Sequence, residues 1–197
     1  IYTIVPSADG TKFAAWATRP AVGDTVKNNT YELYDAKGDA VGTPYTDKGR
    51  NVRAATFTPD LAWAVAGDET GGGQVFDLAK KERIGGNMPL FERGVVDLGI
   101  TADKKYIVGV DDQGVVKVGE LQNGKLNVVA KGSANKNGVR ALYVSPTGKT
   151  FLTIGNDREA KLWSLTDLKP ESLTELRAWA VPVTVNVPIG VAANVCS

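Results

Sequence analysis

Two short stretches of the sequence contain residue types that could bind a phosphate or an ion. Residues 71–73 are Gly-Gly-Gly, and a glycine-rich loop can hold a phosphate through its backbone N–H groups when a helix begins directly after it. Residues 74–77 are strand-like instead, which favours a bent turn between strands. Residues 111–114 (Asp-Asp-Gln-Gly) place acids before a glycine, as calcium loops do, but they lack the distal Glu of such a loop. We predict a β-turn there.

Few residues could coordinate a transition metal or form a nucleophilic triad. The chain of 197 residues has no His and one Cys, Cys196. Zinc, copper and haem sites depend on these residue types, and so do Ser-His-Asp and Cys-His hydrolases. Paired carboxylates could still act as acid and base, but the Asp and Glu residues lie almost wholly at predicted turns. We therefore predict no catalytic residue, no metal and no cofactor, and we expect that the protein is not an enzyme.

Charge and hydropathy limit the classes of partner. The formal net charge of +1 gives no electrostatic reason to expect nucleic acid. The longest uncharged apolar run lies near the C-terminus and contains prolines, so we predict no membrane span. The sparse use of Cys, Met and His and the start at Ile1 slightly favour an extracytoplasmic or secreted location over a cytoplasmic one.

Short strands are the elements that position all of these residues. In residues 138–165, three alternating runs rich in β-branched and aromatic residues are separated by two turn sequences, 145–148 and 155–157. This pattern predicts three antiparallel strands.

The same pattern repeats along the chain. Third-strand tetrapeptides begin at residues 33, 75, 118 and 162, so successive copies are 42, 43 and 44 residues apart. The turn after the first strand recurs at 7–10, 58–61, 101–104 and 145–148. A period of 40–45 residues with four strands is typical of a propeller blade. We therefore predict an all-β fold of four units: 1–50, 51–93, 94–137 and 138–178.

The motifs resemble the WD-repeat β-propellers, in their degenerate bacterial form. Unit four carries the resemblance best, with Val-Arg-Ala at 139–141, Ser-Pro-Thr at 145–147 and Leu-Trp-Ser-Leu at 162–165. The family has a hydrogen-bonded cluster of a turn Asp, a strand Ser or Thr, a Trp and a His. The resemblance assigns Asp157, Thr153 and Trp163 to this cluster. It assigns the turn position to Asp68 in unit two and to Asp112 in unit three. Since no His is present, capping of tight turns is the role we expect for these Asp residues.

Four units leave the closure of a propeller open. The sequence is compatible with a small four-bladed ring, with closure by a second copy or another chain, and with a segment cut from a longer protein. We favour association with another chain, because an open arc exposes the apolar faces of its terminal blades.

Two regions are candidates for contact with a partner. The apolar side chains of Met88, Leu90 and Phe91 either form an exposed contact spot or fold inward between blades. Residues 179–197 are predicted to be an extended β-strand tail with regular alternation, able to pair at one edge. This tail either adds to a partner sheet or bends to complete blade four and start a fifth blade. Its candidate contact residues share one parity: Val183, Val185, Val187 and Ile189.

We therefore expect a non-catalytic scaffold that binds proteins through its rim loops and its C-terminal edge strand. The WD-repeat resemblance implies the same function. The alternative is a structural subunit of an extracellular filament, surface layer or multi-chain complex assembled by β-strand addition. In both cases the expected partner is protein, either another subunit or copies of this chain.

Overall fold

The computed structural model describes residues 2–20, 27–48, 51–169 and 172–180. These residues form strands and turns and no helix, which confirms the predicted all-β class. The strands form four antiparallel sheets, none of them closed. Each strand pairs with the next along the chain, except that the short last strand of the second sheet pairs with the third strand. The described residues accordingly contain no helix long and apolar enough to cross a membrane.

Each sheet uses the strands of one predicted repeat. The first contains β1 (Tyr2–Pro6), β2 (Lys12–Pro20), β3 (Lys27–Asp35) and β4 (Tyr45–Lys48). The second contains β5 (Val52–Phe57), β6 (Trp63–Asp68), β7 (Gly72–Asp77), β8 (Glu82–Arg83) and the short β9 (Met88–Pro89), which also pairs with β7. The third contains β10 (Val95–Ile100), β11 (Tyr106–Asp111), β12 (Val115–Gln122) and β13 (Lys125–Ser133). The fourth contains β14 (Val139–Val144), β15 (Thr150–Gly155), β16 (Glu159–Ser164) and β17 (Glu175–Ala180).

The fourth sheet extends beyond the predicted end of the repeats. Its last strand, β17, pairs with β16 up to Ala180, past position 178. Residues 181–197, with the candidate contact residues of the tail, lie outside the described residues. These contact residues are Val183, Val185, Val187 and Ile189.

The last three sheets share a register irregularity in their first strand. Pairing of that strand with the second strand skips one residue, which is Arg53, Val96 or Arg140. A bulge of this kind bends the strand and increases its twist. Because it recurs at the same distance from the following turn, positions in these three sheets can be equated by register.

Neighbouring sheets pack face to face through three apolar cores. The first strands lie side by side, with β5 against β1 and β10 and with β10 against β14. Between the first two sheets the buried side chains include Trp16, Tyr31, Phe57 and Phe76. Between the second and third they include Val65, Val75, Leu90, Leu98 and Ile107. Between the third and fourth they include Val108, Val118, Leu142, Phe151 and Trp163.

The turn after the first strand has the same hydrogen bonds in all four sheets. In the third sheet the Thr101 hydroxyl donates to the Asp103 carboxylate, which also accepts the N–H of Lys105 at 3.0 Å. The Tyr106 N–H donates to Thr101 Oγ1 at 3.0 Å. Equivalent pairs occur in the other sheets: Ser7 with Asp9, Thr58 with Asp60, and Ser145 with Thr147. The fourth residue of each turn has a positive φ: Gly10, Leu61, Lys104 and Gly148.

We expect Asp103→Ala to lower the free energy of unfolding by about 1 kcal/mol, because two hydrogen bonds of the turn are lost. The Thr101 hydroxyl lowers the pKa of Asp103 below its usual value. Its stabilisation is therefore present above the unfolded pKa and is lost as pH falls. Urea denaturation measures the loss. The exposed Asp112→Ala is the matched control and should change stability by less than about 0.5 kcal/mol; equal losses would contradict the assigned role.

The first core contains a buried hydroxyl without a partner among the described residues. Tyr31 is 2% exposed, and its hydroxyl makes no hydrogen bond. We expect Tyr31→Phe to stabilise the protein by up to about 1 kcal/mol, since an unpaired polar group leaves the core. Thermal unfolding would measure this. The neighbouring Tyr45, which is less buried and contacts Arg83, should give no gain when changed to Phe, and a loss in Tyr31→Phe would show that its hydroxyl is paired.

Candidate functional site

The connections that enter each new sheet lie beside the turn between its second and third strands. The N–H groups of Leu90 and Phe91 donate to the carbonyl of Gly71 at 3.1 and 2.9 Å. The Ala134 N–H donates to the carbonyl of Gly114 at 3.0 Å. We call this side of the molecule the connection rim. It comprises the connections 86–94 and 132–138 and the turns 69–71, 112–114 and 156–158.

A buried chain of side-chain hydrogen bonds links the fourth sheet to the connection rim. The Trp163 indole N–H donates to Thr153 Oγ1 at 2.9 Å. The Thr153 hydroxyl donates to Asn135 Oδ1 at 2.9 Å. Asn135 Nδ2 donates to Asp157 Oδ1 at 3.0 Å. We call these four residues the relay, and its members Trp163, Thr153 and Asn135 are each at most 4% exposed. The three residues that the resemblance assigned are thus brought together.

Asn135 completes the relay by connecting the Thr153 hydroxyl to the Asp157 carboxylate. A carboxamide carries both an acceptor and a donor, as neutral imidazole does, so it can connect a hydroxyl to a carboxylate. The Asn135 amide also donates to the carbonyl of Glu159 at 3.1 Å. Asn135 was not predicted from the sequence, because a His was the only residue type expected in this cluster. Its signal was its place in the 132–138 connection of unit four.

At the fourth sheet, the Asp157 carboxylate joins two segments of the chain: the 132–138 connection and the 156–158 turn. It accepts the N–H of Glu159 at 3.1 Å and the N–H of Lys136 at 2.9 Å. Burial opposes ionisation of this carboxyl, but these two N–H groups and the Asn135 amide outweigh it and lower its pKa. Asp157 therefore remains ionised and holds the connection to the turn.

The turn Asp of the second and third sheets occupies a different position. Asp68 accepts the N–H groups of Thr70 and Gly72 at 2.9 and 2.8 Å, so it caps its turn as predicted. In the third sheet the cap is Asp111, which accepts the N–H groups of residues 113 and 115, both at 2.9 Å. The assignment of this role to Asp112 was wrong, because Asp112 is exposed and Asp111 is the last residue of β11.

Register explains why the relay occurs in the fourth sheet. Asp68 and Asp111 pair with the start of their first strands, as Gly155 does in the fourth sheet. The position of Thr153 is Ala66 in the second sheet and Gly109 in the third. Neither residue has a hydroxyl that could accept a hydrogen bond from an indole N–H.

The three apolar residues of the 86–94 connection fold inward. Met88, Leu90 and Phe91 are 4%, 1% and 6% exposed. They pack into the core between the second and third sheets. An exposed contact spot formed by these residues is therefore wrong. The other predicted possibility, that the three side chains fold inward between sheets, is what the structure shows. They are part of the apolar core between the second and third sheets.

A cleft of about 470 Å³ opens on the connection rim between the second and third sheets. Its cationic side chains are Arg93, Lys117 and Lys131, and its acidic ones are Glu92 and Asp111. The Lys117 ammonium lies 5.3 Å from the centre of the buried Phe91 ring. Three cationic side chains and two acidic ones therefore line the cleft.

Of the three residues predicted to form a bent turn, 71–73, only Gly71 lies in the turn, because Gly72 and Gly73 are in β7. Gly71 has φ of 89°, and β7 begins at Gly72. A Cβ at Gly71 would lie 2.5 Å or less from backbone oxygens of Phe91 and Arg93. Glycine is required here because the 86–94 connection passes directly over the turn.

One partly buried carboxylate lies away from the connection rim. Asp97 follows the bulge of β10 and accepts the N–H of Leu98 and, across to the fourth sheet, the N–H of Leu142, both at 2.8 Å. Burial raises its pKa to about 6, although those two N–H groups act in the opposite direction. A raised carboxyl pKa is typical of a general acid. Both oxygens of Asp97 are occupied, however, and they hold β10 to β14.

Comparison with known proteins yields no relative: no family model matches the chain, and no curated protein matches it.

Proposed function

We propose that the chain is a non-catalytic scaffold built on a WD-like propeller arrangement, and that its connection rim binds other proteins. The observation that carries this proposal is the cleft at the connection rim, whose cationic side chains stand on a frame fixed by backbone and relay hydrogen bonds. Binding residues are commonly placed on loops held by a rigid framework. The four sheets, whose turns are held by side-chain hydrogen bonds, supply such a framework.

The charges of the cleft favour an acidic segment of a protein partner. Arg93 and Lys131 lie at the surface, and Lys117 lies over an aromatic ring. Charged groups of this kind steer association and select the partner more than they set the affinity. Carboxylates elsewhere have structural partners, as in the turns of Asp60 and Asp103, which supports a role in binding rather than in catalysis.

The test reverses the charge of the cleft. Affinity capture from extracts of the source cells is compared for the native chain and for Arg93→Glu with Lys131→Glu, and each candidate partner is then purified and titrated directly. We expect at least about tenfold weaker binding by the variant, with a marked dependence on salt. The control reverses two lysines on the opposite side, Lys12→Glu with Lys149→Glu. Equal binding by both variants would refute the assignment of the cleft.

A second candidate function is a structural subunit assembled by β-strand addition. The observation that favours it is β17, where all six residues are exposed, including Leu176 at 52% and Trp179 at 38%. Among the described strands, β17 pairs with β16 alone. An exposed strand edge is a template for pairing with another chain. Electron microscopy of the concentrated protein would detect filaments, layers or multi-chain complexes; a protein that stays monomeric would exclude this function.

A further inference from the structure

The fourth sheet has an apolar face that no sheet of this chain covers in the described residues. We call it the forward face. On it Leu152 pairs with Leu162 and Ile154 with Ala160. The row continues to Tyr143 on β14 and to Trp179 on β17, which are both 38% exposed.

The third sheet shows what such a face is built to contact. By register, Val108 and Val118 occupy the positions of Leu152 and Leu162, and Val110 and Val116 occupy those of Ile154 and Ala160. All four valines are 0% exposed. They are buried because the fourth sheet packs against them. The same apolar ladder on the fourth sheet therefore fits the face of a further four-stranded sheet.

The first sheet offers a complementary surface that no other described sheet covers. We call it the backward face, and it carries Ile4, Phe13, Ala15, Glu32 and Tyr34. Equivalent positions of the second sheet are buried against the first sheet, as Ala55 at 6% and Phe76 at 0% show. Ile4, by contrast, is 55% exposed.

Charge also matches between the two faces. Arg177 lies on the forward face, pairs with Leu162 in the ladder and places its guanidinium 5.3 Å from the centre of the Trp179 ring. Glu32 lies on the backward face, opposite Ala15. A cation at one end of the row of sheets and a carboxylate at the other favour head-to-tail contact over contact between like faces.

We propose that the occupant of the forward face is a second copy of this chain, whose backward face packs against it, and that the reciprocal junction closes a two-copy ring of eight sheets. Propellers of four to eight sheets are typical. Four strands spaced about 4.8 Å apart, each of about six residues, give a face of about 400 Å². Two junctions then bury about 1,600 Å², which is the size of a standard stable interface. This inference rests on the scaffold function and names one of its partners.

The test measures the mass of the full chain in solution, by sedimentation and native mass spectrometry. We expect twice the chain mass of 20.9 kDa for the native protein. Leu162→Glu on the forward face and Ile4→Lys on the backward face should each weaken self-association about 100-fold, because each buries an unpaired charge at both junctions. Val128→Lys is the control, since Val128 is 42% exposed on β13 and lies on neither face.

Mixing the two monomeric variants makes the test specific for head-to-tail contact. A mixed pair has one native junction and one Lys–Glu junction, so a two-copy particle should form again. Circular dichroism of each variant verifies that the sheets are intact. A native chain that is monomeric would overturn the proposal, whether residues 181–197, further sheets or another protein cover the face. Failure of Ile4→Lys to dissociate the pair would also overturn it. In either case, the affinity-capture experiment with the charge-reversed cleft tests the scaffold function separately.

Discussion

Thr153→Val is expected to lower the free energy of unfolding by about 3 kcal/mol. The substitution keeps the shape of the side chain but removes the hydroxyl at the centre of the relay. It leaves the Trp163 indole N–H and Asn135 Oδ1 buried without their partners. Each buried polar group that loses its partner costs about 1–3 kcal/mol, so the loss exceeds that of an ordinary surface hydrogen bond. Urea denaturation followed by Trp fluorescence measures the change and also reports the environment of Trp163.

Two further variants isolate the hydroxyl as the cause. Thr153→Ser retains the oxygen and should recover most of the lost stability. Thr150→Val removes a half-exposed hydroxyl from the same strand and should change stability by less than about 0.5 kcal/mol. If Thr153→Val is as stable as the native protein, the relay is not a stabilising element.

Stability should fall as pH rises through the titration of Asp97. The folded pKa is about 6 against an ordinary value of 3.8, so the folded protein binds more protons than the unfolded chain between these values. The free energy of unfolding due to this group is greatest below about pH 4 and declines until the folded pKa is passed. The full shift corresponds to about 3 kcal/mol. We expect about 2 kcal/mol, because part of the residue contacts solvent.

Asp97→Asn should remove most of this decline, since the amide does not titrate. Denaturant midpoints measured from pH 4 to pH 7 for the two proteins, subtracted from one another, give the contribution of this carboxyl. Asp103→Asn is the control: the pKa of Asp103 is lowered, so its stabilisation is lost only at more acid pH, and its difference profile should be flat across this range. A difference profile for Asp97→Asn that is flat or rises with pH contradicts the assignment.

Much of the fold follows from the sequence because its determinants are local. The turn at 101–104 and its three copies fix a hairpin through contacts between residues at most five apart. Alternation of apolar residues then sets which face of each strand is buried. These two signals are sufficient to predict four units of four strands with their order.

The candidate site was only partly predictable because it depends on contacts between distant residues. Thr153, Asp157 and Trp163 lie within eleven residues of one another and carry a motif. Asn135 contributes from another sheet's last connection, 18 residues before Thr153. Asp97 is harder still, since its burial results from a bulge and from a hydrogen bond to a strand 45 residues away.

Side-chain direction in the connections could not be read from residue type. Met88, Leu90 and Phe91 lie in a segment without strand or helix periodicity, so the sequence left both an exposed and a buried orientation open. The carbonyl of Gly71 decides between them by holding the connection against the second sheet. In residues 111–114, two adjacent aspartates are equivalent by composition, and the end of β11 determines that Asp111 is the cap.

The meander order of the strands has a consequence for how the chain folds. Since every sheet is made from one continuous segment, closing it requires short loops alone and costs little chain entropy. Folding can therefore nucleate within any one repeat and propagate to its neighbours as their faces become available. Residues up to position 93 contain two complete units, so assembly of these units can begin before the later units are synthesised.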